Sequence, residues 1–342
     1  MYLTLLAGIL IIAVGAFASG SFSIPFGKTK KWAWEINWLV YCFSAYVLMP
    51  LIACAILCPH FMTVLSGYSF GTLSLIFILG AIYGICNLTF GLTLRFLGLS
   101  LGFMISLGLM MVLGTVIPPF IDGRLTILLQ MSGGKTLIAG LMIAVVGIAI
   151  SAYAGYIKDK VSGAASGGEL NFKKGLLLAL FVGLTGSSQA LGIEQGNDLT
   201  SVFVSSGTDV LFASLPTFLV MFLGSFVVTL IWCIILALKN GSVRQYISIG
   251  QEGLTANYLY CTLAGFLWFV NLVFFGMGKS FMGRFSFTAW GILMSLTIVC
   301  ATIWGICRGE WRTAGPKAKL WMYLGLLVLI VASFLIGLSS EG

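Results

Sequence analysis

Ten runs of about 20 apolar residues constrain what this chain can fold into. They fall at about residues 3–24, 38–58, 72–94, 98–120, 136–157, 175–195, 211–238, 257–278, 285–307 and 320–339. Each is long enough to cross a hydrocarbon core of about 30 Å as a helix. None alternates polar with apolar residues, as the wall of a membrane β-barrel must. Composition closes off the soluble alternative. Charged residues make up 8% of the 342 positions and hydrophobic ones 59%, where a globular domain carries roughly 25% charge. No water-facing surface can be built around such a core. The expected fold class is therefore an all-α polytopic membrane protein with ten transmembrane helices. The 43 glycines fit that class, because small residues let helices approach closely in lipid.

The few charges are unevenly placed. Of 18 Lys and Arg, fourteen lie in the first, third, fifth, seventh and ninth connections and four lie on the other side. By the positive-inside rule the odd connections are expected in the cytoplasm and both termini outside. Positive charge spread over five short loops offers no nucleic-acid surface. The N-terminus lacks the basic region and small-residue cleavage site of a signal peptide and is read as the first span. Lys28-Thr-Lys-Lys31 leads into Trp32, Trp34 and Trp38, an aromatic belt expected at the cytoplasmic interface. The stretch 158–174, with Gly163, Ser166, Gly167 and Gly168, is linker-like. It divides the chain into a first five-helix repeat over 1–157, a cytoplasmic linker over 158–174 and a second five-helix repeat over 175–342.

The two halves carry a short internal match. At an offset of 184, Asn87 falls on Asn271, Phe90 on Phe274 and Arg95 on Lys279. Gly80 and Ala81 fall on Ala264 and Gly265. Five is an odd number of crossings, so the second half must traverse the membrane in the opposite sense. Inverted repeats of this kind let many secondary transporters exchange two conformations, with the substrate held near the midplane where the repeats meet.

Polar residues inside the spans are the candidate site. Asn87 lies about 12 Å in from one end of its helix, and Asn271 is equally deep from the opposite face. An unpaired amide in hydrocarbon is costly, so each must meet a neighbouring helix or a wet cavity. Their symmetric placement favours a shared cavity. Trp268 and Phe269 stand beside Asn271, and the next span begins with Ser286, Thr288 and Trp290. Carboxamides and hydroxyls bind sugar hydroxyls, while an aromatic face covers the apolar face of a pyranose. Gln189, in Gly183-Leu-Thr-Gly-Ser-Ser-Gln-Ala190, is a third carboxamide for that cavity. The expected substrate-binding set is Asn87, Gln189, Trp268, Asn271 and Trp290. Ser19, Gly20, Ser21 and Ser23 form a small polar stripe suited to close packing or to lining the cavity. Gly98, Gly102 and Ser106 follow four-residue spacing and are expected to form a helix-packing face.

A proton-coupled carrier needs a group that titrates in the membrane. Glu35, near the start of the second span, and Glu194, near the outer end of the sixth, are the candidates, since no acid sits squarely mid-span. His60 is the one histidine and lies beside Pro59 in an outer loop, where solvation accounts for it. That single histidine and the absence of any C-x-x-C pair among eight cysteines leave no metal site in view. No nucleotide-binding loop, cofactor motif or catalytic set is present, and an enzyme is not expected.

Several stretches point to a family. Pro25-Phe-Gly-Lys-Thr-Lys-Lys-Trp-Ala-Trp-Glu35, Gly80 to Gly98 with Ser100-Leu-Gly102, Leu215-Pro216, Trp268, and Glu310-Trp311 with Ala314-Gly315 resemble the L-rhamnose–proton symporters of the RhaT type, within the drug/metabolite transporter superfamily. The likeness runs over essentially the whole chain. It implies a drug/metabolite transporter fold in a bacterial cytoplasmic membrane, taking up L-rhamnose or a related deoxy sugar with protons. The chain departs from the enterobacterial pattern around Gln189 to Asp209 and around Arg284 to Trp290, where Ser286 stands in place of an expected acid. Two other readings remain open at this point: a carrier of another small molecule, and a membrane sensor that binds without transport.

Overall fold

A chain in hydrocarbon must satisfy its backbone N–H and C=O groups internally, so each apolar run becomes a helix. The computed structural model describes residues 2–121, 123, 133–162, 171–247, 253–282 and 289–338. In chain order the helices are α1 (Tyr2–Ser21), α2 (Trp34–Leu57), α3 (Phe70–Leu97), α4 (Leu99–Ile121) and α5 (Gly134–Ser162). They continue with α6 (Phe172–Gln195), α7 (Leu215–Lys239), α8 (Leu254–Met282), α9 (Ala289–Cys307) and α10 (Gly315–Leu338). Ten helices are long and apolar enough to span a membrane, and the protein is a multi-pass membrane protein. No strand occurs among the described residues. Leu10, Ile56, Leu177, Ile235 and Phe334 stand exposed on the outside, as expected of a surface solvated by lipid.

Several boundaries differ from the sequence reading for local reasons. The second span begins at Trp34 rather than near 38, which brings Glu35 into its first turn, where a carboxylate is favoured by the helix dipole. The same span passes through a π-turn at Ser44–Leu48 just ahead of Pro50. Proline lacks the N–H that would continue the regular ladder, and a local change of register accommodates it. Asn171 starts α6, its side chain accepting the Lys174 N–H at 3.0 Å. Short helices at Phe61–Ser66 and Asn197–Ser205 lie between spans. Gly98, assigned above to a packing face, is instead the whole connection between α3 and α4. Its φ of +82° suits glycine. Gly102 does pack, with room for a Cβ only 2.7 Å from Leu94 of α3. The glycines and serine of the linker at 163–170, and Arg284, Ser286 and Thr288, lie outside the described residues.

Helix contacts follow a regular scheme. α1 packs on α8 and α9, while α6 packs on α3 and α4. α3 also meets α7, α8 meets α2, α5 meets α10, and α4 meets α9. Adding five to each helix number turns every one of these contacts into another or into itself. The closest approach is between α3 and α7. A Cβ on Gly80 would run into the Met221 carbonyl, one on Gly84 would come within 2.6 Å of the Ser225 carbonyl oxygen, and the Ser225 hydroxyl donates to Gly80 O at 2.7 Å. Such contact is possible only because neither glycine carries a side chain. Gly84→Val therefore overpacks this seam by about 1–3 kcal/mol. The expected result is a lower melting temperature and less monodisperse protein in detergent. Gly71→Ala, whose Cβ meets nothing closer than 3.8 Å, is expected to behave as the parent.

Candidate functional site

A small cavity of about 40 Å³ lies between the helices in the core of the bundle. Ser19 of α1, Tyr83 and Asn87 of α3, Gln189 of α6 and Asn271 of α8 supply polar side chains. Phe103, Leu107 and Met110 of α4 and Leu293 and Met294 of α9 supply an apolar wall. Trp268 and Trp290 add indole surface, and Phe22, Phe90 and Leu272 add further apolar surface from α1, α3 and α8. All five substrate-binding candidates, Asn87, Gln189, Trp268, Asn271 and Trp290, thus face one cavity. None of the described lining residues carries a formal charge.

These polar groups keep bonding capacity for a ligand. The Asn271 amide donates to the Trp268 carbonyl, which leaves its carbonyl oxygen as an acceptor. The Asn87 Oδ1 takes only a weak thiol hydrogen bond from Cys42, at 3.7 Å. Its side chain also lies within hydrogen-bonding reach of the Tyr41 and Tyr83 hydroxyls. The Trp290 indole N–H is buried with no partner among the described residues. Trp268 is fixed by Tyr46 and Phe222, with ring centroids at 5.0 and 5.1 Å in edge-on contact. Trp290 is fixed by Phe275 at 5.8 Å. Ser21, from the small polar stripe, accepts the Trp304 indole N–H at 2.7 Å. Ser19 of the same stripe reaches the cavity, and Gly20 packs against Cys300 and Ala301 of α9.

Two further cavities flank the first. One, of about 540 Å³, lies on the face of the odd connections and is lined by Trp34, Glu35, Arg95, Arg308 and Glu310 among others. The second, of about 280 Å³, lies toward the opposite face, with Asn197, Ser214, Thr217, Phe275 and Lys279 in its wall. Aromatic rings separate both from the centre. Phe22, which lines the central cavity, stacks on Tyr41 at 5.2 Å. Tyr41 meets Phe26 at 5.6 Å and Trp38 at 5.1 Å, and both of these line the odd-face cavity. On the other side, the Phe275–Trp290 pair divides the second flanking cavity from the centre.

Neither proton-coupling candidate lines the central cavity. Glu35 is buried at the odd face and accepts hydrogen bonds from Ser242 at 2.7 Å and Asn240 at 3.0 Å. Next to it the Ala33 N–H donates to Gln245 at 2.7 Å, and the Asn257 carboxamide exchanges bonds of 2.8 and 3.0 Å with the Lys30 backbone. These contacts tie the first connection to the second half of the chain. Glu194 closes α6, accepts the Asn197 amide at 3.1 Å and lies within electrostatic reach of Lys279. His60 is exposed in a left-handed turn with φ of +55°. Among the described residues no three His, Cys, Asp or Glu side chains group in a way that could hold a metal ion.

Fold and site define a multi-pass membrane protein with a central cavity whose described lining is uncharged and comes from both halves of the chain. The L-rhamnose-proton symport protein (RhaT) family model matches residues 1–341, and the chain belongs to that family. Relatives named L-rhamnose-proton symporter occur in Yersinia pestis (strain Pestoides F), 31% identical over 337 residues and covering 98% of each chain. Another, from Cronobacter sakazakii (strain ATCC BAA-894), is 31% identical over 334 residues, 97% of this chain and 96% of the relative. These relatives are named as transporters, not enzymes.

The sequence reading assigned Glu310 no role, yet it holds the odd face together. Its carboxylate accepts the Leu99 N–H at 2.6 Å, the Ser100 N–H at 3.0 Å and the Ser100 hydroxyl at 3.1 Å. The Trp311 indole donates to the same hydroxyl at 3.1 Å, and the Lys158 ammonium sits 4.8 Å over the Trp311 ring. The signal was an absence: α4 begins straight after Gly98 with no side-chain cap of its own. A helix N-terminus buried without an acceptor is unstable, so the acceptor had to come from elsewhere in the chain. Glu310→Ala is expected to cost about 1–2 kcal/mol, read as a lower melting temperature in detergent. Glu310→Gln, which keeps one carbonyl acceptor, is expected to lose less.

Proposed function

We propose that this protein is a secondary active transporter that carries L-rhamnose or a related deoxy sugar into the cell together with protons, across a bacterial cytoplasmic membrane. One observation supports the sugar most directly. Carboxamides from α3, α6 and α8 and indoles from α8 and α9 meet in a single cavity whose described lining carries no formal charge. A neutral polyol is the ligand that such a set satisfies: the amides pair with ring hydroxyls, the indole faces cover C–H surface, and no ionic group is left uncompensated. The family and the names of the relatives agree with that chemistry.

We further propose that the two halves, 1–157 and 175–342, are inverted repeats of the drug/metabolite transporter kind. Support comes from the helix contacts that interchange when five is added to each number, and from Asn87 and Asn271 meeting in one cavity at the repeat offset. The odd connections would face the cytoplasm, because they carry most of the Lys and Arg, and both termini would lie outside. In this reading the Phe22–Tyr41 and Phe275–Trp290 pairs separate at alternate times to admit and release the sugar. The proton would be handled at the flanking cavities, by Glu35 at the inner one and Glu194 at the outer one. Protonating Glu35 weakens its bonds to Ser242 and Asn240, which would loosen the tie between the halves.

Radiolabelled L-rhamnose uptake into proteoliposomes tests this. An inward proton gradient is expected to drive accumulation that collapses with a protonophore; no uptake by folded protein would reject the proposal. Asn87→Ala with Asn271→Ala is expected to raise the half-saturating concentration about 10–100-fold, the effect of losing two hydrogen bonds to a desolvated ligand. Glu35→Gln is expected to keep L-rhamnose exchange between equal pools while losing gradient-driven accumulation. If Glu35→Gln accumulates sugar normally, the proton is carried elsewhere and Glu194→Gln becomes the decisive variant.

A further inference from the structure

We infer that the cavity on the face of the odd connections is a second ligand site, separate from the central one, and that it takes a phosphorylated sugar by its phosphate. The hydrogen-bonding groups of its wall carry the inference. The acceptors are spent: Glu35 takes Ser242 and Asn240, Glu310 takes the start of α4, and the Asn37 carboxamide oxygen takes the Cys261 thiol at 3.3 Å. The donors are not. The Ser23 hydroxyl and the indole N–H groups of Trp32 and Trp38 are buried with no partner among the described residues, and all three side chains line this cavity. Trp38 is only 3% exposed, and a buried donor left unpaired is costly. Arg308 brings an exposed guanidinium to the same wall, lying against Gly27 of the first connection.

An indole N–H and a guanidinium can only donate. A site that offers donors and holds back its acceptors suits a group that only accepts, with negative charge to meet the guanidinium. Phosphate is such a group. A neutral sugar is not, because each hydroxyl brings a hydrogen that needs an acceptor. The central cavity differs on this point, since its carboxamides both donate and accept. The two carboxylates of the odd-face wall do not reverse the choice, because donors from α4 and from the stretch after α7 already meet them. Trp34 and Trp38 stack at 5.2 Å and both line the cavity, indole surface suited to the C–H face of a sugar ring. Arg308 follows α9 in the second half of the chain, whereas Ser23 and Trp38 belong to the first. A phosphate held between them ties the halves together at this face. Under the transport reading, on which this last step rests, the tie opposes the exchange of conformations. A phosphotransfer reaction that consumes the imported sugar then supplies an inhibitor of further import.

Calorimetry on the full chain in lipid-free detergent tests this, with L-rhamnose 1-phosphate as the probe and inorganic phosphate and L-rhamnose as its two parts. Saturable binding of the probe is expected, about tenfold tighter than inorganic phosphate and unchanged by saturating L-rhamnose. Arg308→Gln is expected to weaken it about 10–100-fold, the loss of a charge-assisted hydrogen bond. Trp38→Phe, which keeps ring surface but not the N–H, is expected to weaken it about 3–10-fold. Melting curves without ligand check folding, and the exposed Arg308 makes Arg308→Gln the variant expected to melt like the parent. No binding by the folded parent overturns the inference, as does equal binding by the parent and Arg308→Gln. Displacement by L-rhamnose places the probe in the central cavity and overturns it too. Equal affinity for inorganic phosphate overturns the assignment to a sugar. Loss of probe binding in phosphatidylglycerol nanodiscs assigns the site to a lipid headgroup instead. In proteoliposomes with the probe on both sides, the ratio of L-rhamnose uptake with and without it is expected to fall in the parent and stay near one in Arg308→Gln. A ratio near one in the parent overturns the inhibitory step. Absence of any L-rhamnose uptake is a different result: it removes the transport reading, while the calorimetry still decides the site.

Discussion

Hydrocarbon offers a polar group no partner, and the rest of the structure depends on that constraint. Backbone groups answer it by forming helices. Side chains answer it by turning inward, where Asn87, Gln189 and Asn271 are each almost fully buried and converge on one cavity. Serines and threonines without that outlet return their hydroxyls to the preceding turn, as Thr93, Ser151, Ser295 and Thr302 do. The carboxamides stand out because their bonding capacity exceeds what their own helices absorb.

The same scarcity of partners shapes the odd face. Glu35 and Glu310 are each surrounded by donors from distant parts of the chain: Asn240 and Ser242 for the first, the start of α4 for the second. Charge-assisted bonds in such surroundings are stronger than neutral ones, and both cross between the two halves. On the opposite side of the central cavity the comparable bonds are fewer among the described residues, and aromatic contact dominates. Rings can separate and close again without leaving a buried polar group unpaired, which suits them to a path that opens repeatedly.

Much of this was legible in the residues. The ten spans follow from run length alone, and the carboxamides were singled out because an amide in hydrocarbon demands an explanation. Other features were not legible. Gly98 has the spacing of a packing face but serves as a turn, since spacing does not reveal φ. The apolar wall was invisible because Leu107, Met110, Leu293 and Met294 look like any other residues of a lipid-spanning helix. Glu310 stood in the sequence only as part of a family motif, because its partner, the N-terminus of α4, lies more than two hundred positions away.

By itself, then, the sequence determined that the chain crosses a membrane ten times and which polar residues the membrane would have to hide. Both are decided by transfer free energy, a property of each residue and its near neighbours. Only the tertiary structure decided which helices stand side by side, and so which apolar side chains face the central cavity rather than lipid. It also decided which carboxylate caps which helix. Those outcomes depend on close packing between distant segments, where a missing Cβ at Gly80, Gly84 or Gly186 sets the approach. No local pattern of hydropathy records that distance.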